Sequence, residues 1–137
     1  MKEIGLMTKT LTTAALLMTL LPIAFESQAR PNPGHTQKGM ASYYHDSLHG
    51  QKTASGQRYS KNRLSAAHKT LPLGTQIRVT DTLTGNSIVV RVNDRGPFVK
   101  GRIVDLSREA ASELGMIKRG VTSVKLEVLS LPPRHDS

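Results

Sequence analysis

The chain has 137 residues, 19 Lys and Arg against 10 Asp and Glu, no Cys, and a formal net charge of +9. That length holds one domain, and without cysteine there is no disulfide scaffold, thiolate metal site, thiol nucleophile or lipid-modified cysteine. No apolar run reaches the roughly 18 residues that a membrane-crossing helix needs, while 37% hydrophobic and 21% charged residues fit a small folded domain rather than a disordered chain.

Residues 1–29 read as a secretion leader. Lys2 and Lys9 precede an apolar stretch from Leu11 to Ala24, and Ser27-Gln28-Ala29 follows. That is the small-x-small pattern a signal peptidase accepts, so cleavage is expected after Ala29. Lys2, Lys9, Glu3 and Glu26 leave together, so the net charge is unchanged. Export directs the basic charge toward wall polymers, lipid phosphates and peptide carboxylates rather than nucleic acid. No nucleic-acid partner is expected.

Residues 30–37 are polar and rich in Pro and Gly, and they read as a flexible lead-in. The main domain spans 38–130, and 131–137 read as a tail. Met40 to Tyr44 reads as a first strand. Residues 51–75 carry many turn residues and little periodicity, as a long loop would. In residues 76–80 Ile77 and Val79 share one face, and in 87–92 Ile88, Val90 and Val92 do. The stretch from Asp81 to Asn86 between them reads as a hairpin turn. Residues 102–107 lead from a short strand into a helix. Ser107 can cap that helix, Glu109 suits its positive end, Ala110, Ala111 and Leu114 form its apolar face, and Gly115 can end it. Residues 122–129 alternate again. Several short strands with one helix favour a small β-barrel.

Two positions bear on catalysis. Asp94, in Asn93-Asp94-Arg95-Gly96-Pro97-Phe98, leaves the strongest strand, where a carboxylate can be held at a cleft. The same residues also read as an Asx-type turn. His68 sits among small apolar neighbours, where it can position or protonate a reacting group or bond to nearby backbone. His45 and His49 are four apart but lie in a loop without a third ligand, so no metal and no cofactor are expected. Asp105 reads as a structural acceptor near the helix start or a partner of Arg102.

Five stretches then occur in order: Gly39-Met40-Ala41-Ser42-Tyr43-Tyr44; His49-Gly50 with Thr53-Ala54-Ser55-Gly56; Ala66-Ala67-His68-Lys69-Thr70-Leu71-Pro72 with Gly74-Thr75; residues 90–98; and residues 101–107. Together they resemble the RlpA (rare lipoprotein A) family over about residues 38–130. The resemblance implies a mainly β fold, a six-stranded double-psi β-barrel with one short helix. It also implies endolytic lytic transglycosylase action on peptidoglycan glycan strands, breaking the β-1,4 bond between N-acetylmuramic acid and N-acetylglucosamine to leave a 1,6-anhydro end. Asp94 matches the family's acid and His68 its histidine, which orients the sugar or supports proton transfer. Arg95 is expected to point away from Asp94. Gln57 stands where members commonly carry Glu and is taken with Arg95 as substrate-binding. Tyr43, Tyr44, Tyr59 and Phe98 are the rings available after residue 29 to stack on sugars. With no lipid-bearing Cys, a monomer without a membrane anchor is expected, exported to the periplasm or cell envelope. A non-catalytic wall-binding or wall-loosening module of the expansin kind is the other reading.

Overall fold

The computed structural model describes residues 30–134, so the leader predicted over residues 1–29 lies outside them. Six strands close a barrel: β1 (Thr36–Tyr43), β2 (Ser65–Ala67), β3 (Gln76–Asp81), β4 (Ser87–Asp94), β5 (Arg102–Leu106) and β6 (Thr122–Ser130). Their order around the barrel is β1-β5-β2-β4-β3-β6. β1 runs parallel to β5 and β2 parallel to β4, while the other neighbours are antiparallel. One helix, α1 (Arg108–Leu114), separates β5 from β6.

Period-two alternation builds the core. Ile77 and Val79 of β3, Ile88, Val90 and Val92 of β4, and Val124, Leu126 and Val128 of β6 are buried together with Val104 and Leu106 of β5. Burial of such side chains is worth roughly 1.5–3 kcal/mol each. Ser107 caps α1 by accepting the Ala110 amide, and Gly115 ends it at φ 83°. Ala110, Ala111 and Leu114 close the barrel from α1. Small residues permit tight closure where β1 meets β5. A Cβ on Gly39 would stand 2.6 Å from Cγ2 of Ile103.

Three expectations are corrected. Residues 30–37 do not form a free lead-in: β1 begins at Thr36, Gly34 donates its amide to Val128 O and His35 O accepts from Val128. The tail begins packed, with Leu131 against the core and the Pro132 carbonyl accepting Arg30 Nη2. The long loop contains β2, whose Ser-Ala-Ala sequence has little β-propensity of its own and is held by its two neighbours. Asp105 pairs with Arg102 at 2.8 Å and accepts Ser42 Oγ, a structural acceptor as expected.

Candidate active-site cleft

Parallel pairing brings the site together. β2 and β4 end side by side, with Ala67 opposite Asp94 in register, and the His68 amide donates to the Asp94 carbonyl at 3.1 Å. The next segments therefore leave the barrel at one rim.

Asp94 is held by donors from three directions. Its Oδ1 accepts the amides of Ala54 at 2.8 Å and Arg95 at 2.9 Å. Its Oδ2 accepts the hydroxyl of Tyr44. Ala54 lies in a turn closed by Thr53, whose amide and hydroxyl both donate to the Gln57 carbonyl, and Ser55 donates to Asn93 O. The carboxyl plane is thus fixed by backbone, with Oδ2 beside a cavity of about 100 Å³ lined by Tyr44, Thr53, Tyr59 and Asp94 among others. Burial, the hydrogen bond to Asp94 and the charges of Asp94 and Asp105 push the Tyr44 phenol above its ordinary range. It therefore keeps its proton and remains a donor.

Arg95 turns away from the Asp94 carboxyl. Its Nη1 donates to the carbonyls of Leu71 at 2.7 Å and His68 at 3.2 Å, clamping the His68 loop. His68 is 4% exposed. Its Nδ1 accepts the amides of Thr70 and Leu71, and its Nε2 lies 2.9 Å from Gln37 Oε1. Burial first, then the charges of Arg95, Lys69 and His35, lower its pKa to about 4. The ring is neutral near pH 7, with its proton on Nε2.

The remaining site residues separate. Gln57 faces Asn93, whose Nδ2 lies 3.4 Å from Gln57 Oε1, and both line a neighbouring cavity of about 330 Å³ with Arg91. Phe98 is 80% exposed. Two expected stacking rings are not available. Tyr59 is 3% exposed, lies under Tyr44 at a centroid distance of 4.4 Å, and accepts the Arg108 amide on its hydroxyl. Tyr43 donates to the Ile117 carbonyl and packs half-buried against the core, with the Arg108 guanidinium over its ring.

Gln37 was missed because the Pro- and Gly-rich stretch before it hid the strand. The alternation of Thr36, Lys38 and Met40 outward was the available signal. The Ala54 amide, being backbone, left none. His45 and His49 serve backbone amides, of Ser47 and Lys61.

A family model described as lytic transglycolase matches residues 36–126. The endolytic peptidoglycan transglycosylase RlpA of Pasteurella multocida is 53% identical over 98 residues, which cover 72% of this chain and 33% of that protein. The protein of the same name from Neisseria meningitidis is 52% identical over 92 residues, covering 67% of this chain and 38% of its own length. This chain thus spans about a third of the length of the curated relatives it matches. Among solved structures, Streptomyces papain inhibitor (SPI) matches with a TM-score of 0.59 at 24% identity, covering 72% of this chain and 97% of that one. An expansin from Clavibacter michiganensis matches with a TM-score of 0.57 at 22% identity, covering 73% and 53%. These two likenesses concern the fold.

Proposed function

The chain belongs to the RlpA family of double-psi β-barrels, and from that premise we propose that it is an endolytic peptidoglycan lytic transglycosylase with Asp94 as its acid. The observation that carries the proposal is the Asp94 carboxyl. Two amides fix its Oδ1, and Oδ2 stands with the Tyr44 hydroxyl at the cavity.

A glycosidic oxygen leaves poorly until protonated, so the reaction needs a positioned acid. With the carboxyl proton on Oδ2 in the bound complex, that proton passes to the bridging oxygen as the bond to the muramyl C1 breaks. The 6-hydroxyl of the same sugar attacks C1 from within the ring system, and its proton returns to Oδ2. Atoms balance without water, unlike ordinary glycoside hydrolysis. Tyr44, which keeps its phenolic proton, stabilises the carboxylate between the two transfers by donating to it. His68, neutral and bonded at both nitrogens, positions the rim rather than carrying the proton. Phe98 offers the stacking face, and Gln57 with Asn93 offers amide contacts beyond Asp94. The leader at 1–29 delivers the enzyme to the periplasm or envelope, where peptidoglycan lies. Among the described residues no helix is long and apolar enough to cross a membrane.

The test is digestion of purified peptidoglycan in heavy-oxygen water, read by mass spectrometry. The proposal expects 1,6-anhydro ends without incorporated heavy oxygen. Ends carrying heavy oxygen would mean hydrolysis. No new ends on any peptidoglycan, with sacculi still bound, would make the chain a wall-binding module, the reading that the amide of Gln57 favours because it supplies no second carboxyl group.

A further inference from the structure

On the Gln37 side of the His68 ring lies a cavity of about 690 Å³, lined by Arg30, His35, Gln37, His68, Thr70 and Leu71 among others. Its volume falls within the range of small-molecule sites. It does not contain Asp94, and among the described residues none that lines it is acidic.

The donors in this cavity can be assigned from the hydrogen bonds. His68 Nδ1 accepts two amides and so carries no proton. The neutral ring must then donate from Nε2, and the atom 2.9 Å away must accept, which identifies it as Gln37 Oε1. The Gln37 amino group, two donors on one nitrogen, is left without a hydrogen-bond partner among the described residues. Arg30 adds another donor. Its Nη2 donates to the Pro132 carbonyl, while its Nε is buried without an acceptor among the described residues. The charges of Arg95, Lys69 and His35 reach the His68 ring and oppose a cation there. The same field favours an anion.

We propose that this cavity is a carboxylate-binding subsite, in which the Gln37 amino group and the Arg30 guanidinium receive the acid group of a muramyl sugar. The identity of the sugar rests on the transglycosylase reading above; the carboxylate chemistry rests on the donor set alone. The acid has two sources on a glycan strand, the lactyl carboxylate of a stripped muramic acid and the terminal carboxylate of an attached peptide.

The test is a titration of the isotope-labelled exported protein, following the Gln37 side-chain amide and Arg30 Nε–H signals by NMR. N-acetylmuramic acid and an N-acetylmuramyl peptide are the acid probes, and N-acetylglucosamine is the neutral control. At least one acid probe should shift both signals and bind about ten-fold or more tighter than the control, the loss of one charge-assisted contact being worth about that factor. Whichever acid binds more tightly identifies the source. Gln37→Glu keeps the acceptor for His68 but sets a negative charge in the cavity, and should abolish the shifts of the Arg30 signal. Arg30→Gln should weaken binding about ten-fold. The proposal fails if neither acid moves these signals, or if N-acetylglucosamine moves them as strongly. Counting the products that the same wild-type protein makes from glycan strands separates the two claims. Binding without any product from the wild type would sink the transglycosylase reading and leave the subsite standing. Product without these shifts would sink the subsite alone.

Discussion

His68 should make the fold acid-sensitive in a window that its own chemistry defines. In the unfolded chain the imidazole titrates near 6.5, whereas in the barrel burial and the charges of Arg95, Lys69 and His35 lower it to about 4. The folded state therefore binds this proton less readily than the unfolded chain does. Between those two values the unfolded chain holds more protons, so stability falls as pH falls. Above about 6.5 the contribution is complete, and below about 4 nothing further is lost from this group. Each pH unit across the window costs about 1.4 kcal/mol, a total of about 3 kcal/mol. Urea unfolding of wild type and His68→Asn at pH about 7 and about 4.5 measures it. The Asn oxygen can still accept the Thr70 and Leu71 amides, but nothing at that position titrates. The variant should be less stable at pH 7, because the bond to Gln37 is gone, yet lose about 2–3 kcal/mol less than wild type on acidification. Parallel losses in the two proteins would refute the buried neutral ring, and with it the donor assignment at Gln37.

Asp81 should add a second acid limb at lower pH. Burial opposes its charge, but the contacts of Arg119, the Leu83 amide and Thr122 hold its carboxyl below the ordinary range, so its contribution is complete above about pH 4 and is lost as pH falls through that depressed value. The Arg119 bond is 2.6 Å long and Asp81 is fully buried, while Arg119 reaches solvent, so Asp81→Ala should cost about 1–3 kcal/mol in urea unfolding near neutral pH, and a loss under about 0.5 kcal/mol would deny the pair its role. Tyr44→Phe keeps the ring stacked on Tyr59 and removes the donor to Asp94 Oδ2. It should slow anhydro-end formation about ten-fold or more, and an unchanged rate would remove Tyr44 from the machinery. Gln57→Glu places a carboxylate beside Asn93 at the cleft and should raise the yield of anhydro ends by about ten-fold for each 1.4 kcal/mol of transition state stabilised. Equal rates for wild type, Gln57→Glu and Gln57→Ala would put position 57 outside the reaction.

Much of the barrel wall could be read before folding. β3, β4 and β6 each alternate in burial along most of their length, and that period is visible in the residues. The α1 caps were equally legible, because Ser107 and Gly115 act locally. β2 was not, since Ser65–Ala67 becomes a strand only when β4 and β5 flank it. The start of β1 was hidden by the turn residues before it. The barrel type came from resemblance rather than from periodicity, and the order of strands, with its two parallel pairs, was not legible in the sequence at all. Asp94 and His68 could be named as candidates from their neighbours in sequence, but their partners could not. Tyr44 lies 50 residues from Asp94 and Gln37 31 from His68, and only the closed barrel brings such residues together. Tyr43 and Tyr59 show the converse: a ring's presence says nothing of which way it faces, and Tyr59 is buried while Tyr43 is half-buried under Arg108.

The central claim is that Asp94 moves the proton, and Asp94→Asn tests it most directly. The Asn oxygen can accept the Ala54 and Arg95 amides that Oδ1 accepts now, and its amino group can meet the Tyr44 hydroxyl from the Oδ2 position, so the fold and sacculus binding should persist while the transferable proton is gone. Wild type and Asp94→Asn are incubated with the same purified glycan strands, and anhydro ends are counted over time by mass spectrometry. The account predicts anhydro ends from wild type and none from a folded, sacculus-binding Asp94→Asn. Equal rates from the two proteins would contradict it.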